Sequence, residues 1–416
     1  MNSHYIKNNL AIENVLIKDL VKKFKTPLYV YSLSTIKKNY VTLKKKLGHN
    51  IYYSVKANSN QSIIKILSKL GSGIDVVSGE ELMRALAAKV APKKIIFEGV
   101  GKTKNDLILA IKKGIKQINV ESIEELLLIN KTAKSLGKIA NVGIRINPNI
   151  DAKSLKKIST GNKKDKFGIP TTDLNQVVII AKKSKNINLK GISCHVGSQI
   201  FSLSVYEKVF KKIKETARFF INNNINIKNL NLGGGMGFDK TKNKKFQIKG
   251  FKKLVDKHFR NLPYEISFEP GRYIVAESGT LIAKIITTKK SGQSNFIILD
   301  AGMNIFLRPA LYGAHHNIVS IIKRRASINY NVAGPICESS DIFGKNVFLP
   351  KQYTGDYVAI QDVGAYGSVM SSNYNSKELA AEILIYKNRF TIIRKRQKIK
   401  DLISKDIIPR WLGDFH

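Results

Sequence analysis

Ile51-Tyr52-Tyr53-Ser54-Val55-Lys56-Ala57-Asn58 reads as a short buried strand, Ile51–Val55, with a lysine at its C-terminal end. Seven further apolar segments follow it: Ile74–Val77, Ile95–Phe97, Gln117–Val120, Val142–Ile146, Gly191–His195, Leu230–Leu232 and Glu265–Glu269. Amphipathic stretches separate them. A strand-then-helix rhythm argues for parallel strands joined by helical crossovers. Eight such strands predict an α/β chain built on a closed (β/α)8 TIM barrel.

The helical stretches carry their own signals. Ser78-Gly79-Glu80-Glu81 and Ser122-Ile123-Glu124-Glu125 have capping-box spacing, a serine followed three residues later by a glutamate. Val205, Val209, Ile213, Ala217 and Phe220 recur at helical spacing and predict one apolar face turned to the barrel.

The character changes after about Leu281. Leu281–Thr288, Asn295–Leu299, Ser327–Val332, Asp356–Ile360 and Arg389–Ile393 are short, β-branched and bounded by Gly, Pro, Asn or Ser. They predict a mostly antiparallel sandwich or barrel-like β domain. Pro27–Ser32 is also strand-like and is expected to pair into it. The expected division is a barrel over 34–280 and a β domain made of 1–33 with 281–416.

The chain has 416 residues, 43% hydrophobic and 24% charged, the balance of a soluble globular protein. No apolar run is long enough to span a bilayer, and the N-terminus lacks a signal-peptide layout. Two cysteines, Cys194 and Cys337, make no disulfide framework, so a reducing, cytoplasmic setting is expected. The net charge of +41 raises nucleic acid as a partner. The lysines are spread along the chain, however, and no ribonucleoprotein or zinc-finger pattern appears, so neither nucleic acid nor a metal is expected. The basic runs Lys44-Lys45-Lys46, Lys244-Lys245 and Arg394-Lys395-Arg396 read as solvated faces.

In a (β/α)8 barrel the chemistry sits at the C-terminal ends of the strands. Lys56 ends the first strand, and Asp75 lies within the second. His195 ends the sixth and is followed by Gly197-Ser198-Gln199. Gly233-Gly234-Gly235 follows the seventh, and Glu269-Pro270-Gly271-Arg272 follows the eighth. Taken singly, each has a structural reading: a surface lysine, a core histidine, a loop, a turn. Together at one face they describe a site for pyridoxal 5′-phosphate. A lysine there can hold an aldehyde as a Schiff base, and neighbouring cations or desolvation would make it nucleophilic. Glycines let backbone N–H groups approach a phosphate, Ser198 adds a hydroxyl, and a Glu269 carboxylate can pair with a protonated ring nitrogen.

These motifs, with Tyr53-Ser54-Val55-Lys56-Ala57-Asn58, Asp75-Val76-Val77-Ser78-Gly79 and His195-Val196-Gly197-Ser198-Gln199, resemble the alanine-racemase-type fold family of pyridoxal-phosphate decarboxylases. Further stretches agree: Arg145-Ile146-Asn147-Pro148, Lys166-Phe167-Gly168-Ile169, Arg308-Pro309-Ala310-Leu311-Tyr312, Gly334-Pro335-Ile336-Cys337-Glu338-Ser339 and Gly364-Ala365-Tyr366-Gly367. The resemblance implies that Lys56 carries the cofactor and His195 stacks on its ring. Ser198, Gly234, Gly235, Gly271 and Arg272 would hold the phosphate, Glu269 the ring nitrogen, and Asp75 would complete the cofactor set. Arg272, Arg308, Tyr312 and Tyr366 would bind substrate, Tyr366 touching the cofactor as well. Cys337 and Glu338 would reach into the active site of a second subunit, in a homodimer with shared sites. Two departures stand out: Ile305 where an acidic residue is common, and Asp151-Ala152-Lys153-Ser154-Leu155 without the usual Thr-His.

Specificity turns on the far end of the substrate. Ornithine ends in a lone ammonium, whereas meso-2,6-diaminopimelate ends in a second amino-acid head. Arg308 with Arg272 suits a distal carboxylate and Glu338 a distal ammonium, and an arginine repels a lone ammonium. The expected reaction is decarboxylation of meso-2,6-diaminopimelate to L-lysine and CO2. An arginine- or ornithine-type decarboxylase of the same fold is the alternative. The proton donor is left open between Cys337 and Lys56.

Overall fold

The computed structural model describes residues 3–152, 156–241, 244–325 and 327–414. The chain divides into two compact units, Ile36–Ala276 and Met1–Thr35 with Glu277–His416.

The first unit is the barrel. Its strands run Asn50–Ser54, Gly73–Val76, Ile95–Phe97, Gln117–Val120, Ala140–Asn147, Ile187–Ser193, Asn229–Asn231 and Glu265–Phe268. Each pairs parallel with the next, and the eighth pairs with the first, which closes the ring. Several strands end earlier than the apolar pattern suggests. Val55 is buried, yet ladder pairing stops at Ser54 opposite Asp75, and Val55–Ala57 forms a 3-10 turn. Lys56 therefore stands in a turn just past its strand. His195 likewise lies two residues beyond the sixth strand, because its carbonyl accepts from Thr160 Oγ1 at 2.9 Å and Arg145 Nη2 at 3.4 Å instead of continuing the ladder.

The helix Leu203–Asn222 buries Val205, Val209, Ile213, Ala217 and Phe220 as its spacing predicts. The caps differ in detail from the expected boxes. Ser78 and Ser122 accept from the N–H groups of Glu81 and Glu125 at 3.2 and 3.1 Å. The glutamate carboxylates reach one residue further back, to the N–H groups of Val77 and Glu121 at 2.9 and 2.8 Å. Each thus ties a helix start to the strand end before it, which a true box would not do. A complete box occurs instead at Thr103 and Asp106.

Beside a small three-stranded sheet of Ser3–Ile6, Asn9–Ile12 and Val15–Leu16, the second unit is built on a nine-stranded one. Its centre is Gly279–Ser291, whose first half pairs with Leu28–Ser32 and Tyr357–Gln361 and whose second half pairs with Ser294–Leu299. Leu28–Ser32 also pairs with Ala381–Tyr386, so the N-terminal strand lies inside the sheet. Only that pairing and the one between Ser294–Leu299 and Ile328–Ala333 are parallel among the described strands of the sheet. Leu28, Val30, Ile282, Ala359, Ile383 and Ile385 form its core with Leu20 and Val21 of the helix Ile17–Phe24. Ile305 is buried, and its carbonyl accepts from Tyr29 Oη at 2.7 Å and Ser371 Oγ at 2.8 Å. Of the second departure, Lys153, Ser154 and Leu155 lie outside the described residues.

The third basic run is a correction. Arg394 bridges to buried Glu382 at 2.9 Å, and Arg396 donates to the carbonyls of Phe24 and Pro27 at 3.3 and 2.8 Å. Only Lys395 of that run is exposed, because a guanidinium can satisfy several buried acceptors at once. Among the described residues, no helix is long and apolar enough to cross a membrane.

Candidate active site

The strand ends of the barrel unit gather Lys56, Asp75, His195 and Glu269. Asp75 is fully buried; Ser54 Oγ donates to its Oδ2, while its Oδ1 has no partner among the described residues. Burial lifts its carboxyl to about 6, opposed by the charge of Lys56 and helped by that of Glu98. Glu81, at the start of the following helix, is raised to about 7, mainly by burial. Glu269 is pushed well above the ordinary carboxyl range by burial and by repulsion from Glu98 and Asp75, against the pull of Lys56 and Asn231. The surroundings of Lys56 thus include three carboxylates, Asp75, Glu81 and Glu269. Burial raises the proton affinity of all three.

His195 is held far below its usual range by burial and by the cations Lys56 and Arg145, so the ring is neutral near pH 7. The N–H of Gly234 donates to its Nδ1 at 3.3 Å. That places the ring hydrogen on Nε2.

The remaining barrel candidates form one wall. Arg272 donates to Ser198 Oγ from Nε and Nη2 at 3.4 and 3.3 Å. The N–H of Ser198 is spent on the carbonyl of Ile158 at 3.2 Å, so its hydroxyl is the part that can serve a ligand. Gly235 has φ +83°, and a Cβ there would stand 2.3 Å from the carbonyl oxygen of Gly197. A Cβ on Gly234 would stand 2.2 Å from the Glu269 carbonyl oxygen, and one on Gly271 2.8 Å from Ala57 Cβ. Side chains are excluded by backbone at Gly234 and Gly235 and by Ala57 at Gly271, as in turns that present N–H groups to an anion. The group suggested by the residues therefore fits. A guanidinium, a hydroxyl and bare glycine turns are present together with a buried carboxyl of high proton affinity, an unsatisfied carboxylate oxygen and an amine.

Two residues of this mouth, Glu121 and Asn231, escaped the motif reading. Glu121 accepts from Arg145 Nη1 at 2.6 Å, from the Gly99 N–H at 3.0 Å and from the Gly168 N–H at 2.9 Å. Arg145 in turn lies over the Phe167 ring, 4.9 Å from its centroid. Asn231 donates to Glu269 Oε1 and accepts from the Gly233 N–H at 2.9 Å. Their signal was a polar residue inside an apolar strand run, Val120-Glu121 and Leu230-Asn231-Leu232.

In the other unit, Arg308 begins the short helix Arg308–Tyr312, is buried, and lies over the Tyr312 ring, 5.4 Å from its centroid. Cys337 is exposed. Glu338 accepts from Ser340 Oγ at 2.8 Å, and bonds from Tyr374 and Ser340 hold its carboxyl below the usual range. Tyr366 adopts φ +55°, an uncommon backbone for a bulky residue, and Gly367 beside it has no room for a Cβ, which would stand 2.5 Å from the Val363 carbonyl oxygen.

Comparison with known proteins follows the same lines. Residues 33–276 match the family described as pyridoxal-dependent decarboxylase, pyridoxal binding domain. The chain is 37% identical to a diaminopimelate decarboxylase of Aquifex aeolicus, covering 97% of each. It is 40% identical to one of Methanocaldococcus jannaschii, covering 95% of this chain and 94% of that one. The crystal structure of diaminopimelate decarboxylase from Helicobacter pylori complexed with L-lysine superposes with a TM-score of 0.90 at 40% identity, over 93% of this chain and 98% of that one.

Proposed function

We propose, from the premise that the chain belongs to the diaminopimelate decarboxylase family of pyridoxal-dependent decarboxylases, that it converts meso-2,6-diaminopimelate to L-lysine and CO2, the last step of lysine biosynthesis. The observation that carries the reading is the convergence at one barrel mouth of Lys56, neutral His195, proton-avid Glu269 and the Ser198–Arg272 pair beside glycine turns.

Pyridoxal 5′-phosphate, when bound, supplies an aldehyde for the substrate amine and a ring that accepts the electron pair left by CO2. The chain's residues do the rest. Lys56 would hold the group through its amine. Glu269, whose burial raises its affinity for a proton, would face the ring nitrogen and share a proton with it. His195, neutral and fixed through Nδ1, offers a flat uncharged ring for stacking. Ser198, Gly234, Gly235, Gly271 and Arg272 hold the phosphate. Asp75 completes the cofactor set near Lys56. Arg308 and Tyr312, with Arg272, bind the carboxylate of the distal head, and Tyr366 closes on cofactor and substrate.

The reading further comprises a homodimer with shared sites. Cys337 of the partner subunit and Lys56 are the candidate donors of the proton to Cα, and Glu338 of the partner subunit binds the distal ammonium. The functional division is a cofactor-binding barrel over 34–280 and a β domain of 1–33 with 281–416. The protein works in the cytoplasm, with neither nucleic acid nor membrane as partner. An arginine- or ornithine-type reaction is not favoured, since the close relatives carry another name and Arg308 would repel a lone ammonium.

The test is CO2 release from meso-diaminopimelate, ornithine and arginine in parallel, with pyridoxal phosphate supplied. Release from meso-diaminopimelate alone is expected. Release from ornithine or arginine instead would overturn the reading of the distal pocket, and release from none would overturn the reaction.

A further inference from the structure

Asn231 ends the seventh barrel strand and is buried. Three hydrogen bonds make a closed ring around it. The Glu269 N–H donates to the Gly233 carbonyl at 2.8 Å, the Gly233 N–H donates to Asn231 Oδ1 at 2.9 Å, and Asn231 Nδ2 donates to Glu269 Oε1 at 2.5 Å. A backbone N–H can only donate, so the amide oxygen has to face Gly233 and the NH2 group is committed to Glu269. With Oε1 engaged, Oε2 is the oxygen left to meet a ligand.

The ring has little slack. Gly233 holds φ +69°, and a Cβ there would stand 2.4 Å from the Cys194 carbonyl oxygen. The next residue, Gly234, is pressed against the Glu269 carbonyl and donates to His195. Glu269 is also repelled by Glu98 and Asp75. A carboxyl so placed would swing away from its neighbours unless a donor held it.

We infer that Asn231 is a positioning residue: it aims Glu269 at the cofactor's ring nitrogen and couples that aim to the glycine turn at the phosphate end. The inference rests on the cofactor reading above. It makes the grip on the two ends of the cofactor one unit rather than two.

A purely structural role would be the turn itself, since Asn231 Oδ1 binding an N–H two residues on is an Asx-turn. Serine makes the same turn through its hydroxyl but is too short to reach Glu269. Asn231→Ser therefore separates the two roles, and Asn231→Ala removes both. The experiment uses the full-length protein freed of cofactor. It compares the Kd of pyridoxal phosphate with that of its 1-deaza analogue, which has C–H in place of the ring nitrogen, with Glu269→Gln as reference.

Wild type should prefer pyridoxal phosphate. Asn231→Ser should lose on the order of tenfold of that preference, moving toward Glu269→Gln. Its affinity for the deaza analogue should stay at the wild-type value. A serine variant that keeps the full preference would overturn the inference and leave Asn231 as a turn residue. Wild type binding both compounds equally would overturn the Glu269 assignment and the inference with it. Wild type binding neither would instead overturn the cofactor reading. Should Asn231→Ala fail to fold, the serine variant still decides.

Discussion

Replacing Glu121 by alanine should destabilise the barrel unit by about 3 kcal/mol. The Glu121 carboxylate serves a buried guanidinium at 2.6 Å and two loop N–H groups at 3.0 and 2.9 Å. Removing one partner of a buried ion pair costs roughly 3–5 kcal/mol, because the other charge is left uncompensated. Each orphaned N–H adds a fraction of about 1–3 kcal/mol, reduced where the loops of Gly99 and Gly168 relax toward water. Glu98 and Glu269 also attract Arg145, which holds the total to the low end. Thermal unfolding of the cofactor-free protein, followed by far-UV circular dichroism, should show a fall of ~6–12 °C at this loss. The fall should be the same at low and high salt, since the pair is screened from ions by burial. Glu121→Gln, which keeps an acceptor, should lose less. A melting shift of under about 3 °C for the alanine variant, or a loss that vanishes in high salt, would refute the view of Glu121 as the charge that ties these loops together.

Asp75→Asn should gain stability over wild type as pH rises. The folded carboxyl titrates at about 6 against an ordinary 3.8, so its contribution is fully present below 3.8 and is lost as pH climbs through about 6. Urea titrations at pH 4 and pH 7.5 should differ in the variant-minus-wild-type value by roughly 2–3 kcal/mol, and a pH-independent difference rejects the argument. Gly235→Ala, at φ +83° with its Cβ against the Gly197 carbonyl, should weaken binding of pyridoxal phosphate at least about tenfold while binding of phosphate-free pyridoxal changes little; equal losses would remove Gly235 from the phosphate site. Arg308→Ala should raise KM for meso-diaminopimelate on the order of a hundredfold, as loss of a charge-assisted carboxylate contact does, with cofactor absorbance unchanged. Loss of cofactor would reassign the residue.

The barrel was legible because short strand-like runs rich in β-branched residues alternate with amphipathic stretches, and Ile95–Phe97 and Gln117–Val120 were placed to the residue. Ends were less so. Val55 is as apolar as Ile51, and nothing in it announces that pairing stops at Ser54. The strands Ser3–Ile6, Ile342–Leu349 and Ala381–Tyr386 were missed because they are short or mix charged, glycine and apolar residues without alternation. At the site, residues bearing reactive groups at strand ends were visible, whereas Glu121 and Asn231 act through other side chains. Their importance lies in bonds to Gly99, Gly168 and Gly233, far along the chain or made by backbone, and spacing does not encode these. The Arg394–Arg396 run shows the converse: its partners Glu382, Phe24 and Pro27 come from segments whose approach only the folded sheet reveals.

The position of Leu28–Ser32 inside the second sheet has a consequence for synthesis. The strand leaves the ribosome before the barrel, yet both its neighbours, Gly279–Ser291 and Ala381–Tyr386, are translated after the whole barrel. At 5–20 residues per second, roughly 250 residues separate it from the nearer partner, a wait of about 12–50 s. Throughout that interval Leu28-Tyr29-Val30-Tyr31 is an apolar strand with two open edges, the kind of segment that recruits other nascent chains. The barrel has all its strands in hand by Phe268 and can close during translation. The sheet has to be completed after it, by a segment that was made before the barrel.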